Sequence, residues 1–139
     1  MEETNELTNA EKIYLLKMYQ VSAPDHKRIS TTQIAKLLEV KAPSATDMLK
    51  RLSYRGLVLY NKYHGCEMTE EGIRIASAIS GQLTLTQQFL TSKLDMNEED
   101  SQRIAEKISM LDEPVLFNRI NHILKLSKQF QTDNNSQLL

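Results

Sequence analysis

The side chains best able to do chemistry in this chain sit on one short polar helical face. After Pro43, the residues Ala45, Met48, Leu49 and Leu52 recur at helical spacing, which leaves Ser44, Thr46, Asp47, Lys50 and Arg51 on the opposite, wet side. Hydroxyl, carboxylate, ammonium and guanidinium groups gathered this way are the donors and acceptors that read base edges and grip phosphates. Lys41 precedes the helix, and Lys62 and Tyr63 lie in a turn-rich stretch, Asn61-Lys62-Tyr63-His64-Gly65. The expected assignment places Ser44, Thr46, Asp47 and Lys50 toward a DNA major groove and Lys41, Arg51, Lys62 and Tyr63 nearer the backbone. The bland alternative is a solvated face carrying Lys50, Arg51, Arg55 and Lys62. Charge distribution favours the former: from Lys27 to Arg74 nine basic residues face five acidic, a net of +4, whereas from Asp95 to Glu113 seven acidic face two basic, a net of −5. A total of −1 thus conceals a basic module and an acidic one.

Other chemistries find little support. No glycine-rich phosphate loop, paired-Cys zinc pattern or His-Glu-x-x-His spacing occurs. His26, His64 and His122 are far apart and read as surface or wing residues, although His64 is placed where a phosphate contact is conceivable. Cys66, the single cysteine, reads as a packed small hydrophobe. No nucleophile, base and orienting group converge, so an enzyme is not expected.

The elements that position the polar face are legible from local signals. Ser30 with Gln33 forms a capping-box pattern ahead of Ile34, Leu37 and Leu38, which fall on one face of a short helix. Val40 and Lys41 make the break, and Pro43 stands in the first turn of the second helix. Gly56 suits a left-handed C-cap, Leu57-Val58-Leu59-Tyr60 an extended run, and Cys66-Glu67-Met68 the returning strand. Thr69 then caps a new helix with Glu70 and Glu71 in its first turn. Helix, turn, helix and hairpin in this order read as a winged helix-turn-helix.

Beyond it, Ile73, Ala76, Ile79, Leu83, Leu85, Phe89 and Leu90 predict a long helix from Glu70 to Leu94. A second is expected after Asn97 or Met96, with Ile104, Ile108 and Leu111 apolar. A last one begins Glu113-Pro114 behind Asp112, with Leu116, Ile120, Ile123 and Leu124 on its apolar face. The polar stretch from Gln129 to Leu139 is expected to be loose. The fold class is therefore mainly α: a winged domain with a small hairpin over residues 1–72, a helical dimerisation domain over 73–128 and a flexible tail over 129–139. Apolar faces this broad favour a homodimer, with Leu83, Phe89, Leu90 and Ile120 at its interface, over a monomer. The 139 residues hold 40% hydrophobic and 25% charged side chains, without an apolar run near the length of a membrane span. The acidic start Met1-Glu2-Glu3-Thr4 is unlike a signal peptide, and the single cysteine agrees with a reducing cytoplasm.

The runs Glu11-Lys12-Ile13-Tyr14, Thr32 to Val40, Pro43 to Leu52, Arg55-Gly56-Leu57-Val58 and Tyr63 to Gly72 resemble the diphtheria toxin repressor family, most of all its compact manganese transport regulator branch. The resemblance covers roughly residues 5 to 125 and implies a dimeric, metal-responsive regulator of transcription acting on double-stranded operator DNA. The chain ends before the SH3-like domain of longer members. It also implies Mn or Fe held by carboxylates and histidines of the first helix, the long linking helix and the helix after it. That ligand set is incomplete here. An acidic pair is matched by Thr8 and Glu11, a His-x-x-x-Glu motif by Leu83 and Gln87, and a Glu or Cys followed by Glu-His by Glu106, Ser109 and Met110. Glu11 and Glu106 are the residual candidates, and two carboxylates without imidazole make a poor Mn or Fe site. Three readings stay open: a regulator whose input is no longer the ancestral metal, one with a rearranged site using Glu11, Glu106 and acids of the stretch Asp95 to Asp100, and a protein-interaction module that binds DNA incidentally.

Overall fold

The structure is a computed structural model describing residues 6–22 and 27–137, with side chains to residue 129; the readings of His26 and of the acidic start fall outside the described residues. The elements run α1 (Asn9–Ser22), α2 (Thr31–Leu38), α3 (Ala42–Tyr54), β1 (Val58–Asn61), β2 (Gly65–Met68), α4 (Glu70–Lys93), α5 (Glu98–Ser109) and α6 (Pro114–Gln137). They divide into two compact units, Met1–Ile79 and Ser80–Leu139. The division falls inside α4 instead of at residue 72, because Ala76 belongs to the core of the first unit and Ile73 and Ile75 pack against it.

In that unit α1, α2 and α4 each start on a side chain that satisfies an orphan amide. Thr8 and Glu11 make a reciprocal capping box: the Glu11 N–H donates to Thr8 Oγ1 and the Thr8 N–H to Glu11 Oε1, each at 3.1 Å. Ser30 and Gln33 repeat the motif on α2 at 3.1 and 3.0 Å. Glu39, in the left-handed region at φ 55°, ends α2. Ile34 and Ala35 point inward, whereas Leu37, expected beside Ile34, is exposed. With Ala35 taking the inner position, the buried arc of so short a helix is rotated away from Leu37. Helix α3 buries Ala45, Leu49 and Leu52 and stops at Arg55, followed by Gly56 at φ 76°.

The hairpin pairs Val58 with Met68 and Tyr60 with Cys66 in antiparallel register. Ile29 adds a third edge, exchanging backbone hydrogen bonds with Cys66 at 2.9 and 2.8 Å, a pairing for which the sequence carries no local signal. Tyr14, Leu15, Met18, Ile34, Leu49, Leu52, Val58 and Cys66 close the core beneath these elements.

The second unit holds the rest of α4 with α5 and α6. Asn97 caps α5 by accepting from the Asp100 N–H at 2.8 Å. The innermost strip of α5 is Ser101, Ala105 and Ser109, not the expected Ile104, Ile108 and Leu111. The isoleucines flank that strip, and Leu111 lies beyond the helix end and is exposed. Serine burial is tolerable because Ser101 and Ser109 donate to the carbonyls of Glu98 and Glu106 at 2.9 and 2.7 Å. Helix α6 begins at Pro114, one residue later than expected, and buries Phe117, Ile120 and Leu124, leaving Leu116 and Ile123 exposed. It continues to Gln137 through the stretch expected to be loose. Polar composition does not preclude helix, since extending a formed helix is far easier than nucleating one.

The tightest approach in the first unit is at Gly72, where an added Cβ would lie 2.1 Å from the Leu57 carbonyl oxygen. Gly72→Ala should therefore lower stability by about 2 kcal/mol or more, as overpacking against immovable backbone does. Urea unfolding checks this; an unchanged midpoint would contradict the close approach.

Candidate nucleic-acid interface

The structure gathers the expected contact residues on α3 and the hairpin. Along α3, Lys41, Ser44, Asp47, Lys50 and Arg51 are exposed and Thr46 is half-buried, opposite the inward Ala45, Leu49 and Leu52. The polar face is thus held by an apolar one on the same helix, so its orientation is set by core packing. Lys41 occupies the N-cap position without a side-chain cap, and Pro43 stands in the first turn. The first amides of α3 are left to whatever lies beyond the helix start, an arrangement suited to an anionic oxygen.

The wing tip is built by Asn61, whose Oδ1 accepts from the Tyr63 N–H at 3.0 Å while its carbonyl accepts from the His64 N–H at 3.2 Å. This turn projects Tyr63, 84% exposed, and Lys62, whose Nζ lies 5.8 Å from the Tyr63 ring centroid. Gly65 at φ 82° closes the turn against the Ile29 carbonyl, where a Cβ would stand 2.7 Å away. Arg28, which sequence reasoning did not single out, flanks the hairpin and pairs with Glu67 at 3.5 Å. Cys66 is fully buried, and burial pushes its thiol up to about 12, which removes it from thiolate chemistry near neutral pH.

Of the positions expected to ligate metal, Glu106 is a half-buried carboxylate on α5, and the others have other occupations. Glu11 is 1% exposed, and both its carboxylate oxygens accept from Arg55 Nη1, at 3.1 and 3.0 Å. In the second unit Leu83 and Met110 are buried apolar side chains, the Ser109 hydroxyl is spent on the Glu106 carbonyl, and Gln87 is half-buried. Leu90 and Ile120, expected with Leu83 and Phe89 at a subunit interface, are buried, and Phe89 is half-buried. The apolar side chains that α6 leaves open are Val115, Leu116, Ile123 and Leu126. Among the described residues no three His, Cys, Asp or Glu side chains cluster as a metal site, and no helix is long and apolar enough to cross a membrane.

Comparison with known proteins gives a consistent answer. A model of the N-terminal DNA-binding domain of iron-dependent repressors matches residues 6–66. The chain is 34% identical over 95 residues to an uncharacterised HTH-type transcriptional regulator of Methanocaldococcus jannaschii, covering 68% of this chain and 76% of that protein. It is 30% identical to the HTH-type transcriptional regulator MntR of Geobacillus kaustophilus, over 88% of this chain and 80% of that protein. Among solved structures, the manganese regulator SloR superposes with a TM-score of 0.72 at 30% identity, covering 86% of this chain. The chain spans about half of that longer protein, 55% of its length.

The surroundings of Glu11 set a pH dependence. Burial pushes its carboxyl up, but the Thr8 amide and hydroxyl and the Arg55 guanidinium outweigh this and hold it below the ordinary value of 4.5. A folded-state value below the unfolded one contributes stability above the unfolded value, and that contribution is lost as pH falls through the folded value. Melting temperature should therefore fall on acidification below about 4.5, and Glu11→Gln should flatten that part of the profile. Equal acid slopes for both proteins would show that Glu11 does not contribute.

Proposed function

The chain belongs to the diphtheria toxin repressor family of iron-dependent repressors, in its manganese regulator branch, and from this premise we propose that it binds a palindromic operator as a homodimer in the cytoplasm, with an input other than the family's metal. It is a DNA-binding regulator of transcription, like the relatives it matches. The observation carrying the reading is the exposed polar face of α3 beside a wing, on the unit whose net charge between Lys27 and Arg74 is +4. Ser44, Thr46, Asp47 and Lys50 address base edges, and Lys41, Arg51, Lys62 and Tyr63 address phosphates. Nothing in this arrangement calls for catalysis, and the named relatives are regulators.

The donors do not fit Mn or Fe. Glu11 already has a cationic partner, and amide, hydroxyl, thioether and hydrocarbon at Gln87, Ser109, Met110 and Leu83 supply neither the charge nor the imidazole such an ion needs. This favours a changed input over a rearranged metal site. An interaction module with incidental DNA binding would not require a polar recognition face held opposite a packed one.

Dimerisation is supported by α6. Val115, Leu116, Ile123 and Leu126 fall within about 100° of helical arc and are exposed, an apolar face interrupted by the exposed Arg119. A two-fold pair would set its recognition helices roughly 34 Å apart, one duplex turn, or a multiple of that.

Selection of duplexes from a randomised pool, with and without chelator, tests the function; recovery of no preferred sequence under either condition would refute it. Lys62→Ala should weaken all sequences alike and flatten the salt slope by about one unit, whereas Thr46→Ala should alter discrimination between sites. Wild-type affinity and selectivity in both variants would refute the assignment. In sedimentation the wild type should run at twice 16.0 kDa, and Val115→Asp with Leu126→Asp should give a folded species of single mass. A monomeric wild type at micromolar concentration would refute the dimer.

A further inference from the structure

Glu11 presents an unusual problem for a small domain: a carboxylate whose side chain is 2% exposed, at the first turn of a helix. Its solution lies 44 residues along the chain, in Arg55 at the C-cap of α3. Arg55 Nη1 reaches both carboxylate oxygens at 3.1 and 3.0 Å and also lies 3.4 Å from the Glu6 carbonyl. The Thr8 amide donates to the same carboxylate, so one anion joins the α1 capping box to the end of the recognition helix. The junction extends further: the carbonyl of Gly56, the next residue, accepts from Thr69 Oγ1 at 2.8 Å, and that hydroxyl also caps α4 by accepting from the Gly72 N–H at 3.1 Å. The start of α1 and the end of α3 therefore meet at one charge pair whose carboxylate is buried, and the residue after Arg55 ties the start of α4 to the same end of α3.

We propose that the Arg55 guanidinium is a built-in counter-ion for Glu11, standing in for an exchangeable metal ion, so that the recognition helix is set for its operator with no added cation. Glu11 is the one expected ligand on α1 that retains its charge, and its oxygens are committed to a cation fixed to the chain. A guanidinium keeps its proton throughout the accessible pH range and cannot dissociate from the protein. Arg55 is thus a positioning residue, acting on DNA through α3 without touching it. The inference deepens the proposed reading as a DNA-binding regulator and shares its premise.

The test uses the full chain and the variants Arg55→Ala, Arg55→Lys, Glu11→Gln and the double variant Glu11→Gln with Arg55→Ala. Melting temperature, and affinity for a duplex selected by the wild type from a randomised pool, are read in chelator and in millimolar MnCl2. Wild-type values should be the same in both. Arg55→Ala, which strands a buried carboxylate, should melt on the order of 10 °C lower and bind the duplex about tenfold more weakly or worse. Arg55→Lys, which keeps the charge but loses the fork, should recover part of both losses. The double variant should melt above Arg55→Ala, because the stranded charge is gone; this sign reversal is not expected of an arginine that merely packs. Should Arg55→Ala fail to fold, Arg55→Lys and Glu11→Gln still report the manganese response and the loss. Tighter binding of the duplex by the wild type in MnCl2, a stoichiometric manganese heat abolished by Glu11→Gln, or additive losses in the double variant would each overturn the proposal. Coupled melting with no duplex selected would uphold the counter-ion while refuting the DNA reading.

Discussion

A carboxylate removed from water must keep a cation close or give up its charge, and the first unit is arranged around one that keeps both. Taking Glu11 and Arg55 out of solvent costs several kcal/mol for each ion, and mutual attraction recovers this only with good geometry and satisfied lone pairs. Here the carboxylate accepts from the Thr8 amide as well as from the guanidinium, and the side chain of Arg55 keeps 23% exposure, which lowers its share of the penalty. Such a pair adds little stability over an apolar replacement, yet breaking it by removing one partner costs about 3–5 kcal/mol. Its geometric demand falls on the placement of α1 against the end of α3, which brings both carboxylate oxygens within reach of Arg55 Nη1.

Close contact elsewhere in the same unit points the same way. Gly72 admits the Leu57 carbonyl where any other residue would collide with it, and Gly65 does the same for the Ile29 carbonyl. The start of α4 and the turn of the wing are consequently held by backbone against backbone, with Thr69 spanning from the Gly56 carbonyl to the Gly72 amide. Backbone contacts of this kind have few alternative arrangements, unlike side-chain packing, which can adjust by changing rotamers. The polar side chains of α3 are therefore displayed beside elements with little freedom to shift.

What could be read from the sequence divides by the range of the interaction. Caps and breaks are local: Ser30 with Gln33, Pro43, Gly56, Thr69 and Asn97 stand in the structure in the roles their types imply. Thr8 and Glu11 have the same capping-box spacing, at positions that coincide with ligand positions of the family, and the cap they form is equally local. Arg55 was visible only as one more basic residue, since pairing across 44 residues leaves no periodicity or motif. The Ile29 edge of the hairpin is a backbone pairing across a long stretch of chain and leaves no local signal either, whereas the inward serines of α5 are illegible because polarity argues against burial until the backbone carbonyl that satisfies the hydroxyl is known. On α6 the apolar positions were recognised, but which of them face inward depends on tertiary packing that periodicity cannot resolve.

An exchangeable ion and a tethered guanidinium differ in what they allow a protein to sense. Occupancy of a metal site follows the free concentration of the metal, so it shifts a conformational equilibrium only as far as the ion prefers one state over the other. A counter-ion carried by the chain is present at the same effective concentration in every molecule and under every condition, and its contribution is absorbed into folding itself. With the α1–α3 junction made constant in this way, the remaining variable in the proposed function is association through the exposed strip of Val115, Leu116, Ile123 and Leu126. Operator occupancy would then follow the concentration of the chain, because each dimer forms by mass action before both recognition helices can engage the duplex together.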